Sequence, residues 1–197
     1  MNLANKLTLT RLILVPFMIV FYLIGFSHEL ASPVMDWAMW VATAIYIVAS
    51  ITDFFDGRVA RKYNMVSNFG KFIDPIADKV LVISAFMLII GNGSIPTVYA
   101  IVGIIIIVVR EFIIAGLRQC GAVAGKAISA DMFGKVKTFV QDITAPILMM
   151  MPVLVGLVGD WCLFVGYAFF GVSVLLTILS GFNYIIVNKD VIGYKDR

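Results

Sequence analysis

Six stretches of this chain are apolar for about the distance that separates the two faces of a bilayer. They lie at roughly 9–26, 37–57, 72–90, 96–117, 133–157 and 161–187. A helix needs about 20 such residues to cross the hydrocarbon core. In a chain of 197 residues, 61% are hydrophobic, more than a water-soluble domain of that length has interior to hide. The sequence therefore predicts an all-α, polytopic membrane protein with six transmembrane helices. Residues 1–197 are expected to form a single integral-membrane domain. Leu3 and Leu7 stand one helical turn apart in NLANKLT, so residues 2–8 predict a short N-terminal interfacial helix ahead of the first span. The opening MNLANKLTLTRLILVPF has the cationic start of a signal peptide but no small-residue cleavage site after it. It is expected to stay as the first span.

The cations give the orientation. All 15 Lys and Arg fall in the N-terminal segment, in 58–79, in 110–137 or after Val187. The opposite breaks, at 27–36, 91–95 and 158–160, hold only His28, Glu29, Asp36 and Asp160 as ionisable side chains. An excess of Lys and Arg marks the cytoplasmic side. Both termini and the two charged loops are therefore expected in the cytoplasm, with the chain as a multi-pass protein of the plasma (inner) membrane. A net charge of +3 gives no support for a nucleic-acid partner. Cys120 and Cys162 are far apart and form neither a disulfide framework nor a CxxC motif.

Against this background the stretch DFFDGRVARKYNMVSNFGKFIDPIAD, residues 53–78, is the chemical exception. Asp53 and Asp56 are three residues apart and share a helix face, which Gly57 and Ala60 continue. Gly70, Asp74 and Asp78 recur in steps of four on the next helix. The polar KYNMVSN between them suits a short turn, so the two aspartate stripes are expected to face one cleft. Carboxylates gathered near a bilayer repel one another in a low dielectric. Arg58, Arg61 and Lys79 offset part of that charge. A divalent ion does so better, since carboxylate oxygens are hard ligands for Mg²⁺, Mn²⁺ or Ca²⁺. Gly57 and Gly70 would let a bulky ligand approach the backbone.

The pattern Asp53-x-x-Asp56-Gly57-x-x-Ala60-Arg61, then eight residues, then Gly70-x-x-x-Asp74-x-x-x-Asp78 resembles the signature of the CDP-alcohol phosphatidyltransferases, with every position filled. The resemblance implies transfer of a phosphatidyl group from a CDP-linked lipid to an acceptor hydroxyl, with release of CMP. It also implies two divalent ions, Mg²⁺ or Mn²⁺, and a homodimer. By the same resemblance Asp53, Asp56 and Asp74 would be metal ligands. Asp78 would be the general base and would also touch the metal site. Gly57, Ala60, Arg61 and Gly70 would accommodate the CDP-lipid, with Asn5 and Thr8 enclosing the nucleotide from the N-terminal helix.

The second charged region bears on the acceptor. It brings Arg110, Arg118, Lys126, Lys135 and Lys137. Arg110 lies about 21 Å along its helix from Pro96, deeper than the positive-inside rule requires. That rule accounts for Lys126 and for the tail residues Lys189, Lys195 and Arg197. Cations near a metal site favour capture of a second anion, so Arg110, Arg118, Lys135 and Lys137 are candidates to bind an acceptor phosphate. Arg110-Glu111, Gly134-Lys135-Val136-Lys137-Thr138 and the start Asn2-x-x-Asn5-x-Leu7-Thr8-x-x-Arg11 resemble the bacterial phosphatidylglycerophosphate synthases within the family. That resemblance implies CDP-diacylglycerol and glycerol 3-phosphate as substrates. Phosphatidylglycerol or inositol phosphate as acceptor is the nearest alternative. A divalent-cation transporter is the alternative from another class. It is disfavoured because stretches such as ISAFMLIIG and IVGIIIIVV carry no polar path onward across the membrane.

Overall fold

The computed structural model describes residues 3–26, 35–62, 68–123 and 132–189. Among them are six helices and no strand: α1 (Leu3–Phe26), α2 (Met35–Lys62), α3 (Asn68–Leu88), α4 (Thr97–Val123), α5 (Met132–Val158) and α6 (Cys162–Val187). Four carry segments long and apolar enough to cross a membrane: Thr8–Phe26, Thr97–Gly121, Met132–Val158 and Cys162–Val187. In α2 the apolar part, Trp37–Thr52, is shorter. The six expected spans thus fall on the six helices, four of them with long apolar segments and one with a shorter apolar part, and the charged ends of α2 and α3 are helical as well.

Two boundaries differ from the sequence reading. Residues 2–8 do not form a helix of their own, because α1 runs unbroken from Leu3 to Phe26. No glycine or proline separates the interfacial turn from the span, so the helix propagates through both. The helices α2 and α3 also outrun their apolar stretches, to Lys62 and from Asn68. Hydropathy ends where charge begins, whereas a helix ends where its backbone is interrupted, and Asp, Arg, Ala and Lys do not interrupt it.

The interior has the composition of a membrane bundle. Large apolar side chains face outward, with Phe164, Val98 and Phe182 among the exposed ones. Small and hydroxylated residues let the helices approach closely. Helix α6 buries Gly166, Phe170, Ser173, Thr177, Ser180 and Tyr184, a stripe in steps of three and four that lies against α4 and α5. Gln141 of α5 donates to the Thr177 hydroxyl at 3.1 Å. Helices α1 and α2 are packed along their length, around buried Met18, Tyr22, Ala42, Tyr46 and Ala49.

The turn between α3 and α4 is pinned to α5 by a proline. Pro152 lies inside α5 and has no N–H to offer the carbonyl four residues back, that of Leu148. Asn92 and Ser94, from the turn, supply the missing donors. Asn92 Nδ2 lies 3.1 Å from the Leu148 oxygen and Ser94 Oγ 3.0 Å. The same Asn92 amide donates to the Tyr22 hydroxyl at 2.8 Å. Gly91 and Gly93 take positive φ, 86° and 81°, which fits this turn to glycine. One end of the bundle is thereby fastened, and the other end holds the charge.

Candidate active site

A cavity of about 1310 Å³ opens among α2, α3, α4 and α5. Along α5 its wall runs from Gly134 to Leu154, about 30 Å at 1.5 Å per residue. Its two ends differ in chemistry. At one end are Asp78 and Lys79 of α3, Arg110, Glu111 and Arg118 of α4, and Lys135 of α5. Toward the other are Trp40 and Ile47 of α2 with Ile147, Met150 and Leu154 of α5. Ser50, Thr138 and Asp142 lie between, and Thr43 sits with Trp40 and Ile47. Helical repetition produces this gradient: on α5, Lys135, Thr138, Asp142, Pro146 and Met150 recur every three or four residues and stay on one face.

The charged end is organised around Glu111. Its carboxylate accepts from Arg110 Nη1 at 3.0 Å and pairs with the Lys137 ammonium. Lys79 Nζ stands 3.9 Å from the second carboxylate oxygen and 3.3 Å from the Glu111 backbone carbonyl. Three cations thus meet one carboxylate, which leaves the wall positive. Arg110 reaches this position between two glycines. A Cβ on Gly181 would stand 3.2 Å from Arg110 Cγ, and one on Gly134 would stand 3.7 Å from its Nη2. Its Nε is buried with no protein partner among the described residues. Arg118 is exposed, with its guanidinium carbon 5.7 Å from the centre of the Tyr184 ring, within cation–π range.

Of the residues singled out in the sequence, Asp78, Arg110, Arg118 and Lys135 line this cavity together. Lys137 stands differently. It is 2% exposed, is engaged by Glu111 and does not border the cavity, because it points from α5 toward α4 behind the wall. Thr8 is buried on α1. The backbone of Asn5 is in α1, those of Asp53, Asp56, Gly57, Ala60 and Arg61 are in α2, and those of Gly70 and Asp74 are in α3. Their side chains lie outside the described set. The helical backbone places Asp53 with Asp56, and Asp74 with Asp78, on shared faces. Asp78, on the cavity wall, offers carboxylate oxygens of the hard kind that a divalent ion such as Mg²⁺ or Mn²⁺ takes.

Three residues of the site escaped the sequence reading in part or whole. Glu111 entered only as a part of the Arg110-Glu111 pair, with no role of its own. Asp142 had no role, yet it lines the cavity and accepts from the Tyr46 hydroxyl at 3.4 Å. Tyr46 is fully buried. The available signal was spacing: Tyr46, Ser50 and Asp53 follow one another at four and three residues, a single stripe of α2 leading from the aspartates into the bundle.

Comparison with known proteins follows the same lines. The sequence model of the CDP-alcohol phosphatidyltransferases matches residues 1–179. A Bacillus subtilis protein named CDP-diacylglycerol–glycerol-3-phosphate 3-phosphatidyltransferase is 36% identical, over 97% of this chain and 97% of its own. Proteins of the same name from Rickettsia felis and Salmonella choleraesuis are 33% and 34% identical, each over 93% of both chains.

Proposed function

The chain belongs to the CDP-alcohol phosphatidyltransferase family, and from that premise we propose that it moves the phosphatidyl group of CDP-diacylglycerol onto glycerol 3-phosphate. The products are phosphatidylglycerophosphate and CMP, and the reaction serves phospholipid synthesis. The observation that carries this reading is the cavity itself. It gathers Asp78, Arg110, Arg118 and Lys135 at one end and continues as an apolar groove at the other. A diacylglycerol lipid and a small phosphorylated alcohol both find their complement there.

Asp53, Asp56, Asp74 and Asp78 are the residues to hold the divalent ions, Mg²⁺ or Mn²⁺, two in number. Bound there, such ions neutralise the diphosphate and its leaving group. The chain's own residues do the rest. Arg110, Arg118 and Lys135 bind the acceptor phosphate through charge-assisted hydrogen bonds. Holding that phosphate brings the acceptor hydroxyl to Asp78, whose carboxylate takes its proton. The oxygen then forms a bond to the lipid-side phosphorus, and the bond from that phosphorus to the CMP oxygen breaks. Gly57, Ala60, Arg61, Gly70, Asn5 and Thr8 receive the nucleotide side of the lipid. The apolar groove between Trp40 and Leu154 takes acyl chain. The cation distribution supports placing this end at the cytoplasmic face of the plasma membrane, and the family resemblance supports a homodimer.

The test is CMP release by the purified protein in detergent with CDP-diacylglycerol and Mg²⁺ or Mn²⁺. Glycerol 3-phosphate, inositol, inositol phosphate, serine and phosphatidylglycerol are offered in turn. Metal-dependent release with glycerol 3-phosphate alone is expected. Release with another acceptor instead would overturn the assignment of the basic cluster. No release with any of them would overturn the activity.

A further inference from the structure

Glu111 lies in the wall of the cavity and meets cations from three helices. Lys79 comes from α3, Arg110 from α4 and Lys137 from α5. These are the helices that carry Asp78 and the anion-binding cations. Helices α4 and α5 pack little against each other directly, and at this level Glu111 reaches across to Lys137. Helix α3 is tied to α4 at the same point, through Lys79 to both the carboxylate and the backbone carbonyl of Glu111. Lys79 adjoins Asp78 in sequence, so a shift of the Glu111 carboxylate is passed to the helix turn that carries Asp78.

We infer that Glu111 is a positioning residue: it fixes the distance between Asp78 and the cations that hold the acceptor phosphate. The inference rests on the acceptor reading above and adds a residue to it. The carboxylate does two things. It binds Arg110 Nη1, so the rest of the Arg110 guanidinium is held in a fixed direction. It also holds Lys137 away from the cavity, so the acceptor phosphate meets Arg110, Arg118 and Lys135 and not a fourth, competing cation. Cations turned out of register meet the acceptor phosphate less well, so the acceptor binds more weakly. It then reacts less often, because the reacting atoms must approach to about 3–3.5 Å.

The experiment compares Glu111→Gln, Lys137→Met and the double variant with the parent protein. The readouts are KM for glycerol 3-phosphate, kcat, and thermal stabilisation of the protein by CDP-diacylglycerol. Glu111→Gln is expected to raise KM at least tenfold and to lower kcat, with stabilisation by CDP-diacylglycerol unchanged. Glu111→Gln leaves Lys137 buried without its counter-ion and can fail to fold. The double variant removes both charges and keeps the test open. A raised KM in the double variant, with a near-parental KM in Lys137→Met, supports the inference. A parental KM in the double variant overturns it, since Glu111 then only neutralises Lys137. An equal rise in Lys137→Met alone also overturns it, because Lys137 would then meet the phosphate itself. If neither Gln variant folds, Glu111→Asp decides. Its charge is kept and its arm is one methylene shorter, so a raised KM supports positioning and a parental KM overturns it. A parent protein inactive with glycerol 3-phosphate fails the acceptor reading, whereas an active parent with unchanged variants fails this inference alone.

Discussion

Asp78 and Lys79 are adjacent in the chain and take different parts at the same wall. Asp78 presents a carboxylate to the cavity, while Lys79 turns toward Glu111. Asp78→Asn keeps size and polarity and cannot accept the acceptor proton. CMP release is expected to fall by at least about 100-fold, while stabilisation by CDP-diacylglycerol persists. Full activity of this variant would remove Asp78 as the base. In the proposed reaction Arg118 and Lys135 hold the acceptor, so Arg118→Ala and Lys135→Ala are expected mainly to raise KM for glycerol 3-phosphate. Unchanged KM in both would sink the phosphate site. The place of Asp78, Arg118 and Lys135 on one cavity wall was legible in sequence because charge inside an apolar chain is conspicuous and needs a reason. Lys137 was conspicuous for the same cause and was grouped with them. Its partner Glu111 stands 26 residues away, and a charge pattern counts cations without revealing which carboxylate each one meets.

At the scale of elements, α5 and the α3–α4 turn make one unit. Pro152 removes an N–H from α5, and Asn92 and Ser94 return two donors to the orphaned Leu148 carbonyl. Asn92→Ala takes away one donor and also the partner of the Tyr22 hydroxyl. A loss of about 1–3 kcal/mol is expected, read as a lower thermal midpoint in detergent. The proline makes this loss larger than it would otherwise be. In a Pro152→Ala background the helix can bond Leu148 internally, so Asn92→Ala should cost less there, by about 0.5–1 kcal/mol of coupling. Equal costs in both backgrounds would mean that the turn does not compensate for the proline. The GNGS break was readable in sequence as a turn, since its glycines announce a change of direction. Its docking against Leu148 was not, because the carbonyl that needs a donor belongs to a residue 56 positions away and leaves no trace in the side-chain pattern.

Across the whole molecule, one end is closed by hydrogen bonds and the other is open and cationic. The six spans were legible because lipid demands apolar surface at a fixed length. The groove was not, because the same Ile, Met and Leu residues serve against lipid, against another helix or along a cavity. Ile47 and Met150 line the groove while Ile105 and Leu175 are exposed on the surface, and nothing in their identities separates the two groups. Orientation is the remaining property of the whole molecule, and the two cysteines report on it. Cys120 is exposed and lies just beyond Arg118 at the charged end of α4, whereas Cys162 is buried at the start of α6. In a Cys162→Ser background, a membrane-impermeant thiol reagent is expected to label Cys120 in inverted membrane vesicles and not in right-side-out ones. Labelling from the outer face would reverse the topology. It would also separate the cavity's charged end from its cytosolic nucleotide product and its phosphorylated acceptor, since neither CMP nor glycerol 3-phosphate crosses an apolar bilayer unaided at these charges.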